Sequence, residues 1–189
     1  MDTSVTTPPP SRFVDPKAVT SHCHIKPGDT VADIGAGTGF FMSALVQAVG
    51  PEGIVYASEI QRPLLENLGD TARRQGYSAV QAVWGDVETI GGTKIQTDSC
   101  DVVLMVNTLF QLEDVPTALA EINRILRDGG KCIIVDWSES FAGLGPQPEQ
   151  VVSAQNAINM LETAEFVFER EFDTGDHHYG LAARAVKKA

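Results

Sequence analysis

Apolar positions along this chain follow two alternating periods. Short, nearly unbroken apolar runs lead into loops, and the loops lead into stretches where apolar residues recur every three or four positions. Thr30–Ile34 is the first such run and reads as a strand. Phe41–Val49 then reads as a helix ended by Gly50 and Pro51. Ile54–Ser58 is a second strand. Pro63 opens a helix with Leu64, Leu65, Leu68 and Ala72 on one face, and Gly76 ends it. Ala79–Trp84 is a third strand. Asp101–Val106 is a fourth, apolar almost throughout, as expected of a strand buried on both faces. The clearest helix starts at the capping residue Asp114. Val115, Ala118, Leu119, Ile122, Ile125 and Leu126 share one face, and Pro116 is tolerated in the first turn. Gly129-Gly130 reads as its stop and Lys131–Trp137 as the fifth strand. After a Gly- and Pro-rich loop over 138–150, Ser153 caps a helix to Thr163 with Ala154, Ala157, Ile158 and Leu161 inward. Phe166–Phe172 and His178–Ala185 are the last strands. Upstream, Lys26-Pro27-Gly28-Asp29 is a turn, and Asp15-Pro16 starts a short helix.

Strands alternating with helices predict right-handed βαβ units and a mainly parallel α/β sheet. Such sheets bind ligands beyond the carboxyl ends of their strands. Residues 12–189 read as one domain and residues 1–11, polar and proline-rich, as a disordered tail. Composition narrows the functional classes. A net charge of −11 repels phosphate backbones and argues against nucleic acid; the basic residues form only pairs such as Arg73-Arg74 and Lys187-Lys188. No apolar run reaches membrane-span length, and the start of the chain lacks the features of a secretory leader. Cys23, Cys100 and Cys132 are scattered and odd in number, which fits reduced thiols and a cytoplasmic protein.

The chemistry centres on Gly35-Ala36-Gly37-Thr38-Gly39, which follows a strand and opens a helix. Glycines let the backbone turn tightly and approach a ligand, and the helix start offers unpaired N–H groups. The spacing is G-x-G-x-G, with Phe40 where the dinucleotide fingerprint still awaits its third glycine. Glu59 ends the second strand, where an acid can accept from two ribose hydroxyls. Asp86 follows the third strand and can accept from an adenine amino group, or simply form a turn. Asn107 ends the fourth strand, on the same rim.

These residues resemble the class I S-adenosylmethionine (SAM)-dependent methyltransferases. The likeness rests on Val31–Phe41, on Glu59 within Tyr56–Ile60, on Trp84–Glu88, on Asp101–Asn107 and on Leu126–Gly130 with the strand ending at Asp136-Trp137. Within that class the chain is similar to ubiquinone/menaquinone-biosynthesis-type and arsenite-type enzymes, over about residues 12 to 186. The resemblance implies a Rossmann-like, doubly wound, seven-stranded sheet with helices on both faces and an antiparallel last strand. It implies SAM as cofactor and a small-molecule methyl acceptor. Asp33 and the loop Gly35, Ala36, Gly37, Thr38 and Gly39 would hold the methionine half. Glu59 would bind the ribose, Ile60 would pack on the adenine, Asp86 and Val87 would bracket its edge, and Asn107 would line the sulfonium end. The chain departs from its relatives at Phe110, where many carry His, and at Glu165, where many carry Gly. The helical cap of some relatives is absent, so residues 12–24 or the loop 138–150 must supply any lid.

The catalytic residues are not identified by this likeness. His177, His178 and Tyr179 start the last strand and are acceptor-side candidates; the plainer account is a turn with one ring half-buried. Asp136 is another candidate, or an ordinary strand-end carboxylate. No metal site is expected. His22-Cys23-His24 are adjacent, cannot all point one way and read as a helix terminus. The alternatives are a SAM-binding module without catalysis and, on the glycine loop alone, an NAD(P)-dependent oxidoreductase.

Overall fold

The computed structural model describes residues 13–187. The expected disordered tail, residues 1–11, lies outside the described residues. Seven strands form one sheet: β1 (Thr30–Ile34), β2 (Ile54–Glu59), β3 (Val80–Trp84), β4 (Cys100–Val106), β5 (Leu126–Trp137), β6 (Phe166–Phe172) and β7 (His178–Ala185). Their order is β3-β2-β1-β4-β5-β7-β6. All pairings from β3 to β5 are parallel, and β7 runs antiparallel to both β5 and β6.

Five helices cover the sheet: α1 (Pro16–Cys23), α2 (Met42–Val49), α3 (Arg62–Gln75), α4 (Val115–Ile125) and α5 (Ala154–Thr163). Side chains alternate across a strand, so each central strand feeds two cores. Ala32, Ile34, Val103, Met105, Cys132 and Ile134 pack under Leu119, Ile122 and Leu161 of α4 and α5. Val31, Leu104, Ile133 and Val135 pack against Val19, Leu45 and Val49 of α1 and α2. Leu68 and Ala72 seat α3 on Ala57. The caps follow the sequence: Asp15 accepts from the Lys17 N–H at 2.8 Å, Asp114 from Thr117 and Ser153 from Asn156. Arg170 fixes α1 to β6 by donating to the His22 carbonyl at 2.6 Å, while the His22 ring stacks on Phe172.

Two expectations need correction. Gly129-Gly130 does not stop α4. That helix ends at Ile125, and Leu126 is already extended and paired with Cys100. Leu126 is buried whether helical or extended, so apolar periodicity alone did not separate the two. The glycines instead bend the strand. Gly129 has φ 73°, and a Cβ on Gly130 would lie 2.9 Å from the Arg127 carbonyl oxygen. The fourth strand, expected from Asp101, begins one residue earlier, and Cys100 is its first residue and fully buried. Among the described residues no helix is long and apolar enough to cross a membrane.

Candidate functional site

The rim at the carboxyl ends of β1, β2, β3 and β4 gathers one set of groups. β1 delivers the glycine loop, whose Gly35 and Ala36 N–H groups both donate to the Ser58 carbonyl, at 2.9 and 3.0 Å. The loop is thereby fixed to the end of β2. Gly35, Gly37 and Gly39 all adopt the left-handed region, with φ 72°, 54° and 83°. At Gly35 space is also short: a Cβ would stand 2.4 Å from Thr108 Oγ1. Thr108 is held there by its hydroxyl, which donates to the Val106 carbonyl at 3.0 Å. Beyond the loop, α2 has no side-chain cap at Phe41, so its first turn is open to an anionic group.

Glu59 is the hub. Its carboxylate accepts from the Gly37 N–H at 2.9 Å and from the Gln61 N–H at 2.8 Å, bridging the glycine loop to the segment after β2. It is almost wholly buried. Below it Asp33 is buried as well. Burial first, and the nearby Glu59 charge second, push the Asp33 carboxyl up to about 7.

A cavity of about 310 Å³ opens between these elements. Of the residues expected at a cofactor, Gly35, Gly37, Glu59, Ile60, Asp86 and Val87 line it. Ala36, Thr38 and Gly39 shape the loop behind it, and Asp33 and Asn107 flank it. Sequence reasoning missed Thr108, Gln111 and Leu112, which form the opposite wall, together with Gln61, Leu64 and Glu88. Thr108 follows Asn107 directly, so its place at the end of β4 was a usable signal. Leu64 reads from its period only as part of the apolar face of α3, and the rest sit in irregular segments or short turns that carry no periodicity.

The cavity suits a nucleoside. It has a bare glycine floor, a two-oxygen acid at the strand end, and Ile60 and Val87 as apolar neighbours. Asp86 uses both carboxylate oxygens on its own turn, accepting from the Glu88 N–H at 2.9 Å and the Thr89 hydroxyl at 3.0 Å. The turn-forming role is therefore present. Asn107 has φ 52°, and its Oδ1 is buried without a hydrogen-bond partner among the described residues. A buried acceptor left this way suits a donor on a bound molecule.

The acceptor-side candidates lie farther along the same rim. Asp136 and Trp137 end β5, paired with Tyr179 and His178 of β7. Burial pushes Asp136 up to about 6, against the hydrogen bonds it accepts from the Trp137, Phe110, Leu109 and Thr108 N–H groups. It thus caps the turn after β4. Tyr179 is buried, its hydroxyl has no partner among the described residues, and burial raises its pKa. His177 pairs through Nδ1 with Glu139 at 2.8 Å and stacks on Phe141 at 3.7 Å. Phe13 approaches both rings. Phe13, from the lid candidate 12–24, and Phe141, from the loop 138–150, therefore meet in one aromatic cluster with His177. The Cys23 thiol points into the core and donates to the Val19 carbonyl, while His24 takes the left-handed position after α1.

The model of a family described as "methyltransferase domain" matches residues 32–134, more than half of the chain. The chain is 30% identical over 171 residues to the 2-phytyl-1,4-naphtoquinone methyltransferase of Synechococcus elongatus, covering 85% of this chain and 71% of that one. It is 28% identical over 116 residues to the ubiquinone/menaquinone biosynthesis C-methyltransferase UbiE of Teredinibacter turnerae, spanning 61% of this chain and 45% of that one. A solved SAM-dependent methyltransferase from Aquifex aeolicus superposes with a TM-score of 0.85 at 27% identity, covering 92% of this chain and 91% of the other.

Proposed function

Because this chain belongs to the methyltransferase-domain family and is a SAM-dependent methyltransferase of small molecules, we propose that its acceptor is the reduced, electron-rich form of a quinone-type ring. The names of its relatives suggest that class. The observation that carries the reading for this chain is the aromatic wall beyond Asn107. Trp137 lies tilted against His178 there, Phe141 stacks on His177, and Phe13 lies beside them. The exposed side chains of Phe13, Phe40 and Leu144 add apolar surface to the segments bordering the same rim. Flat apolar faces suit a ring better than a charged acceptor.

In this reading SAM, when bound, supplies a methyl group on a positively charged sulfur. The chain's own groups do the rest. The loop from Gly35 through Ala36, Gly37 and Thr38 to Gly39, with Asp33 beneath it, holds the methionine half. Glu59 accepts from the ribose hydroxyls. Ile60 and Val87 flank the adenine, and the turn closed by Asp86 presents its edge. Asn107 Oδ1 accepts from the amino-acid end, close to the sulfur. The loop 138–150 and Phe13 exclude water from the acceptor, which aligns the nucleophile with the methyl carbon. We assign residues 12–189 to this one domain. We place the protein in the cytoplasm, which its three free, buried thiols support. The strongly acidic charge favours a small acceptor over nucleic acid.

The test is a transfer assay with methyl-labelled SAM and dithionite-reduced 2-phytyl-1,4-naphthoquinone. Label is expected in the organic phase, on a product heavier by one CH2. A protein that transfers label to another extracted metabolite but not to this quinol would overturn the quinone reading.

A further inference from the structure

Since β5 and β7 are antiparallel, β7 begins at the rim where β5 ends, with Trp137 opposite His178. Asn107 donates its N–H to the Val135 carbonyl at 2.8 Å and so stands beside β5 on its other flank. His178 is therefore two strand spacings from Asn107, about 10 Å. An acceptor one or two rings wide spans that distance. His178 also shares a sheet face with Val135 and Trp137, the face that α1 and α2 cover and on which the glycine loop turns into α2.

The hydrogen bonding of the ring fixes its tautomer. His178 Nδ1 lies 3.1 Å from the Asp176 carbonyl oxygen. A carbonyl only accepts, so Nδ1 carries the hydrogen and the neutral ring keeps its lone pair on Nε2. Nε2 is buried and has no hydrogen-bond partner among the described residues. Burial foremost, with His177 adding to it and the Asp176 contact opposing, lowers the affinity of the ring for a second proton. The Trp137 indole lies against the ring, with centroids 4.2 Å apart. Over Trp137 lies the loop 138–150, so close at Gly145 that a Cβ there would fall 2.4 Å from the indole. The other titratable groups nearby are Asp176 and His177 beside it in the chain, Glu139 on the loop and bonded to His177, and Asp136 on the opposite face of β5.

We propose that His178 Nε2 is the general base of the methyl transfer, exposed to the acceptor when the loop 138–150 lifts from Trp137. The proposal rests on the quinol reading for the nature of the acceptor, not for the tautomer. A hydroxyl of the reduced acceptor gives its proton to Nε2. The electron pair left on oxygen is delocalised to a ring carbon, which bonds the methyl carbon. The bond from that carbon to sulfur breaks, and its electron pair stays on sulfur. The imidazolium returns its proton to the oxygen, and the methylated ring carbon releases its hydrogen as a proton to solvent, which restores the aromatic ring.

Two measurements test it. Nitrogen-15 NMR of the ligand-free chain, with His178→Asn for assignment, should show His178 as the Nδ1–H tautomer titrating below an ordinary histidine. Separately, His178→Asn and His178→Gln should bind SAM like the parent by calorimetry. Their methyl transfer should fall roughly 100-fold or more, and the acidic limb of the pH–rate profile should vanish. If the parent ignores the naphthoquinol, the same variants are compared on whichever extracted metabolite the parent labels, so the acceptor reading fails without deciding this one. An Nε2–H tautomer, a pKa at or above the ordinary value, or a variant with the parent's rate and acidic limb would overturn it.

Discussion

Gly35 and Thr108 show how closely the cofactor rim is fitted at the scale of single residues. Gly35 takes a backbone angle that only glycine adopts freely, and Thr108 fills the space where a side chain would begin. Gly35→Ala should cost about 1–2 kcal/mol for the left-handed backbone and about 1–3 kcal/mol more for overpacking. Removing the neighbour with Thr108→Ala should restore only the second part. Urea unfolding of the two single variants and the double variant reads that coupling directly. Strict additivity, or a Gly35→Ala protein as stable as the parent, would show that the contact is not tight. The glycine loop and Glu59 were legible in the sequence because their chemistry depends on residue type at fixed spacing. Thr108 was not, since a threonine after a strand has many uses and only the packed loop makes it the lid over Gly35. Asp86 also needed the structure, which shows both its oxygens committed to its own turn.

Helix α4 carries the next scale. Its apolar stripe was readable from Val115 onward, and Ala118, Leu119, Ile122 and Ile125 are all buried. Glu121, three residues after Ala118 and four before Ile125, is fully buried too, which its residue type conceals. Its carboxylate accepts from the Gly91 N–H at 2.7 Å, from the Thr93 hydroxyl at 2.5 Å and from the Arg124 side chain at 2.7 Å. Arg124 in turn donates to the Ile95 carbonyl at 2.8 Å. The helix thus fixes the segment after β3, and with it the turn at Asp86 that borders the cavity. Burial alone would raise the Glu121 pKa. Hydrogen bonds from Arg124, Thr93 and the Gly91 and Thr93 N–H groups outweigh it and hold the carboxyl down at about 2. A depressed acid stabilises the fold above its unfolded pKa, and that stabilisation is lost as pH falls toward the folded value. Glu121→Gln should therefore be less stable than the parent by about 3 kcal/mol at neutral pH. The gap should close between about 4.5 and about 2. Denaturant unfolding across that range measures it, and a gap that stays constant with pH would contradict the charge-based account. The end of α4 shows the limit of pattern at this scale, because Leu126 is buried equally well as the last residue of a helix or the first of a strand.

On the scale of the whole molecule, the alternation of strands and helices announced a parallel α/β sheet, but strand order is a long-range property that no local window contains. The order β3-β2-β1-β4-β5-β7-β6 places β1 and β4 side by side, where the crossovers diverge to opposite faces. Such a switch point opens a crevice at the carboxyl ends. The cavity lies there, collecting Gly35 and Gly37 from β1, Glu59 from β2, Asp86 from β3 and Thr108 from β4. The antiparallel β7 then brings His178 to the same rim from the far end of the chain, a meeting that the sequence suggested only as a weak candidate. Every residue role proposed for this chain depends on the cavity around Glu59 being the SAM site. The most direct measurement is calorimetric titration of SAM into the parent chain and into Glu59→Ala, with both folds checked by thermal unfolding. On that assignment one SAM binds saturably per parent chain, and the variant binds it more weakly by about 2 kcal/mol, roughly thirtyfold. Equal affinity in the two folded proteins would contradict it.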